Sequence, residues 1–370
     1  MKRHAAALAA PLLLLALSDG FGQDLSHVAG DRLRLEALLQ ADRYHYHGAP
    51  FASARREDTG IRRAELVLNG TGPGRLGWEL GYDLRARRWL DVAAALDFTK
   101  GHSLQLGQYK QPFGLEELTS SRSTDFISRA AATGALAIGR RAGVGYRYGS
   151  EVWSLDAGAF DRKLAAGGAQ GRGHALRATW APIRTPQRTL HLGLAYAGHE
   201  VPDASLRLSA RPYADLSDQR LLDTGRFPDA ERYAARGVEF LWLSGALKLQ
   251  AEYLDGRIER RTAPAHRARG AYLSAVYGLG GANWSYRDAL PRAAAPDGSC
   301  GQWQLAARLD ALDLDDAGVA GGRMDAFTLG VNWACGAHLR LSFNATRIDA
   351  ERRAVPADAE VLGLRAQLHW

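Results

Sequence analysis

The chain has little cysteine, lysine or methionine. Its 370 residues include two cysteines and two methionines, and the lysines are only Lys2, Lys100, Lys110, Lys163 and Lys248. The two cysteines, Cys300 and Cys335, form no metal-ligand spacing with histidine, which removes the zinc-module class. No Gly-x-Ser-x-Gly elbow and no phosphate-cradling P-loop occurs. Beyond the N-terminus no stretch approaches the roughly 20 apolar residues of a membrane-spanning helix. Nucleic-acid recognition modules are absent as well, so a net charge of +7 does not point to nucleic acid.

Nearly all of the positive charge is arginine. A guanidinium stays ionised and meets oxyanions in a planar fork, so an arginine-rich surface favours anionic partners. The chain opens Met1-Lys2-Arg3-His4, followed by an apolar run from Ala5 to Leu17 that Pro11 interrupts, then small and polar residues. A basic start, a short apolar core and a cleavage zone between residues 18 and 23 predict an export leader over 1–23 and one domain over 24–370. In an oxidising compartment cysteines can pair. Cys300 precedes one predicted strand and Cys335 ends its hairpin partner, so both are expected at one rim and within disulfide reach.

What fills the mature chain is alternation. Leu76, Trp78, Leu80, Tyr82 and Leu84 alternate with Arg75, Gly77, Glu79, Gly81 and Asp83, the pattern of a strand with one apolar and one polar face. Similar segments run from Leu33–Leu39 to Leu362–Trp370, about sixteen in all, an even number as a single-chain transmembrane barrel requires. A soluble sandwich also alternates, but the connections here go long, short, long: 43–60 then 70–74, 111–140 then 149–151, 197–236 then 244–245. Long extracellular loops and tight periplasmic turns produce that rhythm. The 278–299 connection breaks it, being long where a short turn belongs. Aromatic residues such as Trp78, Tyr148, Trp153, Trp180, Tyr196, Trp242 and Trp333 sit near strand ends, as interfacial girdles do. The expected fold is therefore all-β, a transmembrane antiparallel barrel in an outer membrane.

One stretch stops alternating. Residues 107–129 read Gly107-Gln-Tyr-Lys-Gln-Pro-Phe-Gly-Leu-Glu116, then Thr119-Ser-Ser-Arg122, then Arg129. Together with Arg62-Arg63-Ala64, Leu192-Gly-Leu-Ala-Tyr196, Ala251-Glu-Tyr-Leu254, Ala306-Ala-Arg-Leu-Asp310 and Thr328-Leu-Gly-Val-Asn-Trp333, these words resemble the phosphate- and polyphosphate-selective porin O/P family. They occur in family order from about residue 30 to the C-terminus. The resemblance implies a trimeric barrel of sixteen strands whose third extracellular loop folds inward as a constriction.

Carried over residue by residue, the resemblance places Arg122 at the eyelet, Arg62 and Arg63 as a paired site on the opposing wall with Asp91 near it, and Arg207 and Arg211 in a loop that guides anions inward. Ser120, Ser121 and Ser123 are placed to donate hydroxyls to an oxyanion. Lys110 is expected to latch the loop by pairing with Glu116 or Glu117. Arg257, Arg260 and Arg261, with Arg267 and Arg269, form a second basic cluster. Adjacent strand residues face opposite ways, so Arg62 and Arg63 can share a face only across a bulge. The chain departs from the phosphate-selective pattern at Glu65, where those proteins have an aromatic residue. A carboxylate there repels phosphate or takes an arginine out of use.

The implied function is passive diffusion of small anions, phosphate or related oxyanions among them, with no cofactor, no resident metal and no catalysis. The expected partners are outer-membrane lipid, lipopolysaccharide, the diffusing anions and two further copies in a homotrimer. Two other classes stay open at this point: an outer-membrane enzyme built from distant strands, and a structural or adhesive barrel with a plugged lumen. The Tyr44-His45-Tyr46-His47 run and the acids Asp313, Asp315 and Asp316 lack the spacing of a dedicated metal site.

Overall fold

The computed structural model describes residues 33–51, 56–164, 171–202, 206–279, 284–293 and 300–370; the leader predicted over 1–23 lies outside the described residues. The alternating segments become sixteen antiparallel strands. These are β1 (Leu33–Gly48), β2 (Glu57–Thr71), β3 (Leu76–Asp83), β4 (Arg88–Thr99), β5 (His102–Lys110), β6 (Arg140–Gly149), β7 (Trp153–Phe160) and β8 (Gly173–Arg184). The second half supplies β9 (Arg188–Glu200), β10 (Ala230–Ser244), β11 (Leu247–Arg260), β12 (His266–Leu279), β13 (Cys300–Asp316), β14 (Val319–Cys335), β15 (Leu339–Arg352) and β16 (Ala359–His369). Each pairs with the next, and β16 returns to β1 with Leu39 opposite Leu368. Closure pairs every strand edge, which is what permits a sheet to sit in lipid.

The usual burial rule is inverted. Large apolar side chains point outward, Leu106 at 67% exposure and Leu194 at 64% among them. The inward positions hold Gln40, Asp42, Glu239, Glu252, Arg308 and Arg365, all buried. Aromatic side chains band the short-turn end of the outer face: Trp153 stacks on Trp180 at 5.4 Å, and Trp303 lies 6.1 Å from Trp333. At that same rim Cys300 is the register partner of Cys335, and Cys335 is disulfide-bonded.

Two connections differ from the sequence-based lengths. Strands β11 and β12 run on to Arg260 and from His266, because Ile258 and His266 continue the inward face and are buried. Sequence alternation between Tyr253 and Leu273 lapses and predicts a long loop over 255–268; the paired ladder shortens it to 261–265. The irregular 278–299 connection contains a hairpin, Trp284–Arg287 paired with Leu290–Ala293, turned at Asp288 and Ala289, which both have positive φ (55° and 56°). This hairpin folds up into the lumen. Trp284 packs with Leu241, Leu243, Val276 and Ala306 of the inner wall and with Leu115 and Phe126 above them.

Polar contacts fix the same hairpin. Arg177 donates to the Ala289 carbonyl at 3.1 Å, the Tyr286 hydroxyl meets His191 Nδ1 at 2.7 Å, and Lys248 Nζ stands 4.7 Å above the Trp284 ring. Truncating a buried Trp costs about 3–5 kcal/mol. Trp284→Ala should therefore release the hairpin, and trypsin should cleave after Arg287 at least tenfold faster than in the wild type. An unchanged cleavage rate would show that the hairpin is not held by that ring.

Candidate functional site

Between β5 and β6 the chain leaves the wall for residues 111–139. It forms two short helices, α1 (Leu115–Leu118) and α2 (Ala131–Leu136), and crosses the lumen. Every few residues an inward side chain of the opposite wall takes hold of it. Glu252 of β11 accepts from the amides of Leu115 and Glu116 at 2.5 and 2.8 Å. Lys248 binds Asp125 at 2.7 Å. Asp310 of β13 accepts from the Ala131 amide at 3.0 Å, and Arg308 donates to the Ser128 carbonyl at 3.1 Å. Arg365 of β16 forks onto Asp42 with two 2.7 Å bonds and donates to the Ile127 carbonyl at 2.8 Å. A backbone crossing a barrel has orphan amides and carbonyls, and these charged groups satisfy them.

Beside the loop lies a cavity of about 800 Å³, lined by β1 to β6 on one side and by the short-turn ends of β13 to β16 on the other. Ten arginines and lysines line it against five carboxylates. Most are paired. Arg122 on the loop meets Glu36 of β1 at 2.6 Å, and Arg34 shares that carboxylate at 3.3 Å. Arg129 pairs with Glu117 at 2.6 Å, and Arg140 forks onto Asp91 at 2.9 and 3.0 Å. Lys110 donates to the carbonyls of Glu117 and Thr119 at 2.5 and 3.1 Å, so it latches the loop through its backbone, not through a carboxylate. Arg340 donates to the Arg122 carbonyl at 3.4 Å and to Gln304 at 3.5 Å, and forms no direct ion pair among the described residues.

A bulge brings Arg62 and Arg63 to one face. The ladder between β1 and β2 slips at Gln40 and Ala41, pairing them with Arg63 and Ile61 and leaving Arg62 as the extra residue. The two arginines then separate in role. Arg63 faces the cavity and is held by Glu65 at 2.8 Å; Arg62 is bound to Asp215 at 2.7 Å, in the loop that joins β9 to β10. Ser120, Ser121 and Ser123 line the cavity.

None of the arginines read as guiding anions lines the cavity. Arg207 is spent on Asp223 within its own loop (Nε–Oδ1 2.6 Å), Arg211 donates to the Asp215 carbonyl at 3.0 Å, Arg260 binds Asp229 at 3.0 Å and Arg261 binds Glu231 at 3.1 Å. Arg257 shares the parity of exposed Tyr253 and points outward from the barrel. Period two already contained that signal. Cavity residues that sequence reasoning missed include Glu36, Glu79, Arg140 and Arg340. Glu36, Glu79 and Arg340 lie on inward parity, but parity alone does not say which part of the inner wall the loop leaves open; Arg140 shares the parity of the outward Val144, so alternation gives no signal for it.

The family model for phosphate-selective porin O and P matches residues 34–370. The chain belongs to that family. It is an outer-membrane porin of a Gram-negative envelope, a channel by family and fold. An uncharacterised protein of Caulobacter vibrioides is 32% identical over 309 residues, 78% of this chain and 62% of that protein, so the match leaves over a third of the relative uncovered. Porin O of Pseudomonas aeruginosa is 24% identical over 346 residues, 81% of this chain and 79% of the relative. The anion-selective porin of Comamonas acidovorans shares the fold at a TM-score of 0.58 and 12% identity, covering 91% of this chain and 99% of that one. The loop over 111–139 is thus the third extracellular loop, and the inserted hairpin is periplasmic.

The fifth extracellular loop, residues 201–229, is the second element reaching inward, and its locks are acid-sensitive. The Arg207 guanidinium holds the Asp223 carboxyl down at about 2. Burial alone would raise Asp215, but Arg62 and Arg365 outweigh it and keep its carboxyl below the ordinary value. A depressed carboxyl stabilises the folded form above its unfolded value near 3.8 and loses that contribution as pH falls through the folded value. Pepsin should therefore spare this loop down to about pH 4 and cut it increasingly toward pH 2, while Arg62→Ala should shift the onset upward. Cleavage already complete at pH 4 in the wild type would contradict this.

Proposed function

We propose that the pore is selective for small anions, with phosphate or related oxyanions among its solutes, and that it works by passive diffusion in a homotrimer. The observation that carries this reading is the twofold excess of cationic over acidic side chains on the cavity wall. At the loop two arginines share one carboxylate, Glu36, and Arg340, Arg88 and Lys163 line the cavity with no carboxylate partner among the described residues. An anion that sheds water there meets fixed donors, yet no single tight cage that would hold it. Serine hydroxyls at 120, 121 and 123 supplement the guanidinium groups.

Glu65 limits the phosphate part of the reading. It neutralises Arg63 at the wall, so the paired arginine site keeps little free charge. Chloride and other small anions then share the path with phosphate.

In planar bilayers the expected result is that millimolar phosphate reduces chloride current only weakly. Glu65→Gln frees Arg63 and should strengthen that block by about tenfold, the effect of one desolvated charge–charge contact. Absence of any block in both proteins would end the phosphate part while leaving anion passage intact. Arg122→Ala leaves Glu36 shared by one arginine only, and the anion-to-cation permeability ratio should fall by about threefold. An unchanged ratio would remove Arg122 from the selectivity site.

A further inference from the structure

Of the five carboxylates that line the cavity, four are held by arginine: Glu36 by Arg122 and Arg34, Glu65 by Arg63, Asp91 by Arg140, and Glu117 by Arg129. The fifth is Glu79 of β3. It lines the same cavity and makes no hydrogen bond or ion pair with another described residue.

The wall around Glu79 accounts for its isolation. Residues two apart on a strand share a face, so Gly77 and Gly81 flank Glu79 on the inward side of β3. Its register partners are Asn69 on β2 and Ala93 on β4. Val67 stands opposite Gly81, and Ala95 stands opposite Gly77. Apart from Asn69, none of these side chains can donate a hydrogen bond, and Asn69 carries no charge. The arginines on this side of the lumen are drawn to Glu36 and Asp91 instead. Glu79 is half-buried, so it has given up part of its hydration without gaining a counter-ion.

Such a group attracts a cation, yet the cavity around it repels free cations, having twice as many basic as acidic side chains. A divalent metal ion needs several converging oxygen ligands, and among the described residues no three acids, histidines or cysteines gather to hold one. The positive charge that reaches Glu79 is therefore one that an anion carries in, an ammonium on the same molecule as an oxyanion. Donors for the oxyanion stand close by. Arg34 is the register partner of Asn69, which places it two strands, or about 10 Å between Cα atoms, from Glu79. Its side chain is 74% exposed and shares Glu36 with Arg122, so guanidinium donors remain open to a solute. Both side chains project into the lumen, and a solute of a few heavy atoms spans their charged ends.

We propose that Glu79 is an ammonium subsite, and that the pore favours small aminoalkyl phosphonates and phosphates over oxyanions of equal size that lack the amine. The oxyanion end binds at Arg34 and Arg122 while the ammonium faces Glu79. This deepens the anion-selective reading and rests on it.

The test compares aminoethylphosphonate with propylphosphonate, in which a methyl group replaces the ammonium, as blockers of chloride current through the full-length protein in planar bilayers. The amine should block the wild type at a concentration about tenfold lower. Glu79→Gln keeps the side chain's shape, removes its charge, and should bring the two blocking concentrations within about twofold of each other. Glu65→Gln also removes one carboxylate from the wall, but it should strengthen block by both phosphonates alike and keep their ratio. Equal block by the two phosphonates in the wild type would overturn the proposal and leave the anion reading standing. A preference that survives in Glu79→Gln, or is lost equally in Glu65→Gln, would overturn it too. If neither phosphonate reduces the current and the zero-current potential has the sign of potassium permeation, the proposal and the anion reading fall together.

Discussion

Everything about the pore depends on how a length of chain can cross the inside of a barrel at all. The third loop carries backbone groups that no neighbouring strand can satisfy, and the wall answers with ionised side chains. Glu252 takes two amides, Asp310 takes one, and Arg308 and Arg365 take carbonyls. These groups are themselves paired, Arg308 with Asp310 at 3.4 Å and Arg365 with Asp42 at 2.7 Å. Breaking one member of such a buried set typically costs about 3–5 kcal/mol, because the survivor is left uncompensated. The loop is therefore seated on one half of the wall, and the open path is confined to the other half.

That division sets the electrostatics. On the seated side, charges are consumed in holding the loop; on the open side, beside β1 to β6, pairs such as Arg140 with Asp91 and Arg63 with Glu65 still leave cations in surplus. The periplasmic hairpin completes the arrangement from below. Leu241, Leu243 and Val276 make an apolar patch on an inner wall that should be polar, and Trp284 covers it. Loop and hairpin meet through Leu115 and Phe126, so the filled half of the barrel is continuous from one mouth toward the other.

The wall was legible in the sequence because a barrel strand must alternate, and each of the sixteen alternating segments became a strand. The third loop was legible because alternation stopped there. The pairing of Glu65 with Arg63 follows from period two, which puts residues two apart on one face; that Arg62 turns to the same face depends on the bulge there, and a bulge leaves no composition signal, so sequence could state only the condition. The hairpin left two traces, the long 278–299 connection and the apolar residues on both faces of Phe240-Leu241-Trp242-Leu243, neither of which says that a turn folds inward. Arg257 was misplaced for a different reason. Its parity with Tyr253 was available, but a cluster of arginines at the end of a strand looks like a loop when the strand is taken to stop at Tyr253, and the ladder runs on to Arg260.

The central claim is that surplus cations on the open side of the lumen make the path anion-selective. The zero-current potential of the wild-type protein in a tenfold potassium chloride gradient at neutral pH measures this directly. A potential with the sign of chloride permeation is predicted, and it should shrink as ionic strength rises and screens the wall. A potential with the sign of potassium permeation would contradict the account.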